Sequence, residues 1–87
     1  MNIEELRSKI DKIDTQLLKL LNQRMGIVFD VGKIKNASKE SVYRPEREKA
    51  IIDRLCEESK GKLDIKSIRA IFQEIFAISR NIELPET

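Results

Sequence analysis

The sequence predicts an all-α fold of three helices. Apolar residues recur at alternating steps of three and four over long stretches, which is the period of one helix face. Short polar segments holding serine, glycine or an early proline interrupt that period twice. With 87 residues, one cysteine (Cys56) and no histidine, the chain can be neither a disulfide scaffold nor a zinc finger, and His-based catalysis is excluded. Its 17 basic and 15 acidic residues are interspersed, so the net charge of +2 comes without the basic block that nucleic acid would require. The four aromatics, Phe29, Tyr43, Phe72 and Phe76, are too scattered for a base-stacking platform. No stretch approaches a membrane span, and Met1-Asn2-Ile3-Glu4-Glu5 has neither the basic nor the apolar region of a signal peptide. A cytoplasmic protein with no membrane and no nucleic-acid partner is therefore expected.

The first helix is expected over about residues 3–36, where Ile3, Leu6, Ile10, Ile13, Leu17, Leu20, Ile27, Val31 and Ile34 hold the period with no proline. Asn2 is its N-cap, with Glu5 three residues on in a capping-box variant. Gly26 and Gly32 each cost about 1 kcal/mol relative to alanine without breaking the pattern. From Asn36 to Ser41 the period is lost and a loop is expected. The second helix, about 45–59, opens at Arg44-Pro45-Glu46-Arg47-Glu48, where proline suits the first turn and the glutamates complement the helix dipole. Ile51, Ile52 and Leu55 are its apolar face, and Gly61 is its expected stop. Asp64 caps a third helix, about 65–83, carrying Ile65, Ile68, Ile71, Phe72, Ile75, Ile78 and Ile82. Leu84-Pro85-Glu86-Thr87 reads as a frayed tail, and residues 1–87 read as a single domain.

Geometry adds a constraint. A helix of about 34 residues is about 50 Å long, whereas a compact chain of this size is roughly 30 Å across. The first helix must overhang its own chain. An overhanging apolar seam needs a cover, and the same helix of a second copy supplies one, which predicts a symmetric homodimer.

Charged and polar residues stand on these seams. In a heptad frame with Ile3 at a, Arg24 falls at an a position, where a guanidinium is costly unless an anion or several acceptors meet it. It snorkels, pairs with a protein carboxylate, or binds a ligand. Lys35 lies three turns on and about 20° away in azimuth, so both side chains can lean toward one ligand. Arg7 sits about 25 Å along the axis from Arg24 and about 100° around it, so the two can meet only across an antiparallel dimer seam; taken alone, Arg7 is a solvated flank. On the second helix Glu48 shares the face of Ile51, Ile52 and Leu55. On the third, Ser79 is in line with Ile68, Phe72, Ile75 and Ile82, with Glu83 one turn beyond. A serine there can simply bond backbone, and a terminal glutamate can be solvated. Polar exceptions on all three helices together are what a ligand site in a bundle core requires.

These residues resemble those of the all-helical, AroQ-class chorismate mutases. The resemblance runs through Leu6-Arg7-x-x-Ile10-x-x-Ile13-Asp14-x-x-Leu17-Leu18-x-Leu20-Leu21-x-x-Arg24 and Val31-Gly32-x-x-Lys35. It continues through Tyr43-Arg44-Pro45-Glu46-Arg47-Glu48 to Ile71-Phe72-x-Glu74-Ile75-x-x-x-Ser79. It implies an intertwined dimer of three-helix chains in which each site borrows Arg7 from the neighbour. Arg7 and Arg24 would then bind the two carboxylates of chorismate, and Lys35 a carboxylate and the ether oxygen. Glu48 would accept from the ring hydroxyl with Arg47 close by, and Ser79 would meet a carboxylate. Position 44 is acidic in some members, where main chain does much of the binding, but is arginine here. The group on the ether oxygen is glutamine in many bacterial members and is Glu83 here; to donate, Glu83 has to be protonated. The implied reaction, chorismate to prephenate in aromatic amino-acid biosynthesis, needs no metal and no cofactor. Two other functions stay open: an isochorismate-pyruvate lyase of the same fold, and a non-catalytic helical dimerisation module.

Overall fold

In the computed structural model, which describes residues 1–85, three helices follow one another: α1 (Ile3–Ser38), α2 (Pro45–Glu58) and α3 (Ile65–Glu83). No strand occurs among the described residues. Two starts are fixed by side-chain caps. The Asn2 side chain accepts from the Glu5 N–H at 2.9 Å, and the Asp64 carboxylate accepts from the Ser67 N–H at 2.8 Å, each satisfying a donor that the helix leaves orphaned. The Ser67 hydrogen bonds hold the Asp64 carboxyl below its ordinary pKa. At α2, Pro45 occupies the first turn and Arg44 caps through its backbone alone.

Two ends differ from expectation. α1 runs to Ser38, so Asn36, Ala37 and Ser38 are helical rather than loop. A polar last turn loses the apolar period without losing its hydrogen bonds. The stop is a Schellman turn: Lys39 is left-handed at φ 60°, its N–H bonds the Asn36 carbonyl, and the Glu40 N–H bonds the Lys35 carbonyl at 2.8 Å. α2 ends at Glu58, one residue early, and Gly61 is not its stop, because no glycine among the described residues has positive φ. Ser59 turns the chain to extended backbone instead, and its hydroxyl donates to the Leu63 carbonyl at 3.0 Å. α3 ends where Leu84 adopts the extended conformation that the following Pro85 favours. Of the frayed tail expected over 84–87, Glu86 and Thr87 lie outside the described residues.

α3 is the element against which both others pack; α1 and α2 do not pack on each other. Ile51 of α2 with Ile68 and Phe76 of α3 form the buried apolar centre, with the Phe72 and Phe76 rings tilted against each other at 6.0 Å. The chain is 54 Å long and only 16 Å thick. α3 meets only the second half of α1, and every residue from 1 to 23 is exposed. Along that free arm the seam residues Ile3, Leu6, Ile10, Ile13, Leu17 and Leu20 are uncovered, from 45% exposed at Leu6 to 60% at Leu20. For about 30 Å the helix presents an apolar stripe that its own chain does not touch.

Candidate active site

The three helices converge on one cavity of about 290 Å³. From α1 come Arg24, Ile27, Val28, Val31 and Lys35, the steps of a single helix face. Arg44, Arg47, Glu48 and Ile51 enter from the start of α2, and Phe76, Ser79, Arg80 and Glu83 from the last turns of α3. Seven of the eight residues singled out in the sequence therefore line it: Arg24, Lys35, Arg44, Arg47, Glu48, Ser79 and Glu83. Arg7 does not. It lies on the free arm, its side chain 64% exposed and 3.5 Å from the Glu4 carboxylate.

Arg24 neither snorkels nor pairs with a carboxylate of the described residues. Its guanidinium donates to the Ser79 hydroxyl at 2.7 Å and lies 5.9 Å from the centre of the Phe76 ring. Burial, and then the like charge of Arg47, lower its pKa, while Glu83 acts in the opposite sense. Arg47 likewise makes no ion pair among the described residues. Ser79, 7% exposed, accepts from Arg24 and donates to the Ile75 carbonyl at 2.7 Å, so it bonds backbone and faces the cavity at once.

Glu83 is buried, 8% exposed, which removes the alternative of a solvated terminal residue. Its carboxylate lies 2.7 Å from the Lys35 ammonium. Its carbonyl, orphaned at the end of α3, accepts from the Asn36 side-chain amide at 2.9 Å. The last turn of α3 can come this close because Gly32 has no side chain; a Cβ there would stand 2.7 Å from the Glu83 Cα. Neither Asn36 nor Gly32 carries a site signal in the sequence, since their work is done on backbone.

Arg80 is the cavity residue that the sequence analysis missed. It donates to the Glu48 carboxylate and lies over the Tyr43 ring, 5.3 Å from its centre. A signal existed: Phe76, Arg80 and Glu83, at steps of four and three, share a helix face. Arg44 is tied to Glu46 at 2.9 Å, which raises the arginine's pKa and holds the Glu46 carboxyl low. The cavity thus gathers five cations, Arg24, Lys35, Arg44, Arg47 and Arg80, against two carboxylates, Glu48 and Glu83. That imbalance suits a small ligand with more than one negative charge. Among the described residues no group of three metal-ligating side chains is placed to hold a metal ion.

Residues 6–84 match the family described as chorismate mutase type II. The bifunctional chorismate mutase/prephenate dehydratase of Neisseria gonorrhoeae is 37% identical over 81 residues, covering 93% of this chain and 22% of that relative. Across several such bifunctional relatives the chain spans about a quarter of their length or less. Among solved structures, chorismate mutase from Helicobacter pylori in complex with prephenate superposes with a TM-score of 0.87 at 32% identity, over 93% of this chain and 88% of that one. Chorismate mutase (form II) from Thermus thermophilus gives 0.90 at 31% identity, over 93% and 92%. By sequence over nearly its whole length, and by the course of its three helices, the chain belongs to the chorismate mutase type II family.

Proposed function

We propose that the chain, as a homodimer, converts chorismate to prephenate by a 3,3-sigmatropic (Claisen) rearrangement. One observation carries this above all: Arg24 and Arg47 face the same cavity with no described carboxylate paired to either, so the site has cationic capacity left for an anionic ligand. Family membership and the prephenate complex of the Helicobacter pylori relative support the same ligand chemistry.

In this reaction the ether C–O bond breaks as a C–C bond forms, with no proton transferred and no nucleophile used. The protein's task is to hold the enolpyruvyl group over the ring in a chair-like geometry and to offset the negative charge growing on the ether oxygen. Arg24, with Arg7 of the partner subunit, grips the two carboxylates, and Ser79 meets one of them once its hydroxyl turns from the Ile75 carbonyl. Lys35 donates to a carboxylate and to the ether oxygen, and Glu83, protonated, donates to that oxygen from α3. Glu48 accepts from the ring hydroxyl, with Arg47 beside it. Ile27, Val28, Val31, Ile51 and Phe76 supply apolar walls that exclude water.

The dimer belongs to the same proposal. It is supported by the uncovered stripe from Ile3 to Leu20 and by the position of Arg7 on that arm, about 25 Å along the helix from Arg24 and so out of reach of its own chain's cavity. Incubating the protein with chorismate and, separately, with isochorismate tests the activity. Prephenate from chorismate is expected. Pyruvate and salicylate from isochorismate alone would assign a lyase, and inertness toward both would leave a dimerisation module.

A further inference from the structure

Arg80 has no task in the mechanism above, although it lines the cavity. It leaves α3 next to Ser79 and reaches to the start of α2, where its Nη1 donates to Oε2 of Glu48 and its guanidinium carbon lies over the ring of Tyr43. Glu48 and Arg80 also line a second, outer pocket, together with Tyr43 and Gln73. The ion pair thus borders both the cavity and this second pocket. Both partners are partly withdrawn from water, the Glu48 side chain more than that of Arg80.

We infer that Arg80 is a positioning residue for Glu48, holding one carboxylate oxygen so that the other is presented to the ring hydroxyl of the substrate. This rests on the mutase proposal for what Glu48 meets. Glu48 has three rotatable side-chain bonds, and a ligand with two carboxylates repels it. The groups around the pair are Arg44 at the cap of α2 and Arg47 on it, Arg24 and Lys35 on α1, and Glu83 on α3. Among the described residues none of these cations makes an ion pair with Glu48, and only Arg80 is bonded to it. A charge-assisted bond to a planar guanidinium fixes the carboxylate's rotamer and offsets its charge locally. Tyr43 in turn holds Arg80, because the cation is attracted to the face of the ring beneath it. A lysine at position 80 would keep the charge but lose the planar guanidinium that donates to Glu48 while lying over Tyr43.

The test has two arms. In the first, kcat/KM for chorismate is measured for the parent, Arg80→Ala, Glu48→Ala and the double variant. Arg80→Ala is expected to lower it about thirtyfold, with Arg80→Lys recovering part. In the Glu48→Ala background the same change should cost less than about threefold, because a residue acting through Glu48 has nothing left to position. An undiminished loss in that background overturns the inference, since Arg80 then meets the substrate itself or merely supports the fold. The second arm needs no turnover. Tyr43 is the chain's single tyrosine and there is no tryptophan, so ultraviolet emission reports on this ring. Acrylamide quenching of the unliganded protein should rise in Arg80→Ala, rise also in Glu48→Ala as Arg80 is released, and rise no further in the double variant. A parent inert toward chorismate removes the mutase proposal alone. Quenching that ignores either substitution removes the positioning of Glu48.

Discussion

The Lys35 ammonium and the Glu83 carboxylate lie 2.7 Å apart across the junction of α1 and α3, both largely withdrawn from water. On the mutase proposal the ether oxygen of the substrate meets both members of this pair. An ionised Glu83 accepts from Lys35 but cannot donate to the ether oxygen. Glu83→Gln places a neutral amide donor at the same point and should keep most of kcat/KM or raise it, whereas Glu83→Ala should cost about 10²-fold or more. Steady-state kinetics of the three proteins check this; a glutamine variant as slow as the alanine variant would mean that no donor at position 83 serves the reaction.

Asn36 and Gly32 set where that carboxylate stands. Asn36→Ala leaves the Glu83 carbonyl without its donor and should lower stability by about 1 kcal/mol, with kcat falling more than KM changes. Gly32→Ala drives a methyl group into the backbone of the last turn of α3 and should cost about 1–3 kcal/mol. Thermal melts and steady-state kinetics of both variants read the effects. A Gly32→Ala protein with the parent's kcat would show that the Glu83 backbone has room to move.

For Arg7 the expected measurement is complementation. On the dimer proposal, the Arg7→Ala and Arg24→Ala proteins should each lose roughly 3 kcal/mol of transition-state binding, about a hundredfold in kcat/KM. Mixed and exchanged, the two chains should regain activity in one of the heterodimer's two sites. A verified heterodimer without regained activity would place Arg7 outside the neighbour's cavity.

Asp64 gives a pH dependence of stability. Its folded-state pKa is depressed by the Ser67 hydrogen bonds, so its contribution is complete above the unfolded-state value, about 3.9, and is lost as pH falls through the lower folded-state value. The melting temperature of the parent should therefore exceed that of Asp64→Ala near neutral pH, and the gap should narrow below about pH 4. A gap constant down to about pH 2 would mean that the cap is not acting through its charge.

Lys39 occupies a left-handed conformation that disfavours any side chain. Lys39→Gly should stabilise the end of α1 by about 0.5–1 kcal/mol, read as a higher melting temperature with unchanged kinetics.

Legibility in the sequence followed the kind of interaction involved. Asn2 and Asp64 announce helix starts because a cap is local, and Arg24, Ser79 and Glu83 stand out because a polar group on an apolar face is conspicuous in one dimension. The end of α1 is hidden, since a Schellman turn closed by lysine lacks the glycine that normally marks it. The Glu48–Arg80 pair is hidden as well. Glu48 stands out on the face of Ile51, Ile52 and Leu55, but Arg80 passes as an ordinary helix-surface charge, and only the facing of α2 and α3 reveals them as partners. Gly32 reads as a weak point in a helix, whereas its role is to leave room for the backbone of another.

The free arm of α1 also bears on how the fold is reached. A core resting on Ile51, Ile68 and Phe76 is small for a chain of this size. On the dimer proposal the missing apolar contacts come only from a collision with a second chain, so acquiring structure and finding a mate become a single event. Refolding should then be a second-order reaction whose half-time shortens as the protein concentration rises, and the denaturation midpoint should climb with concentration in step.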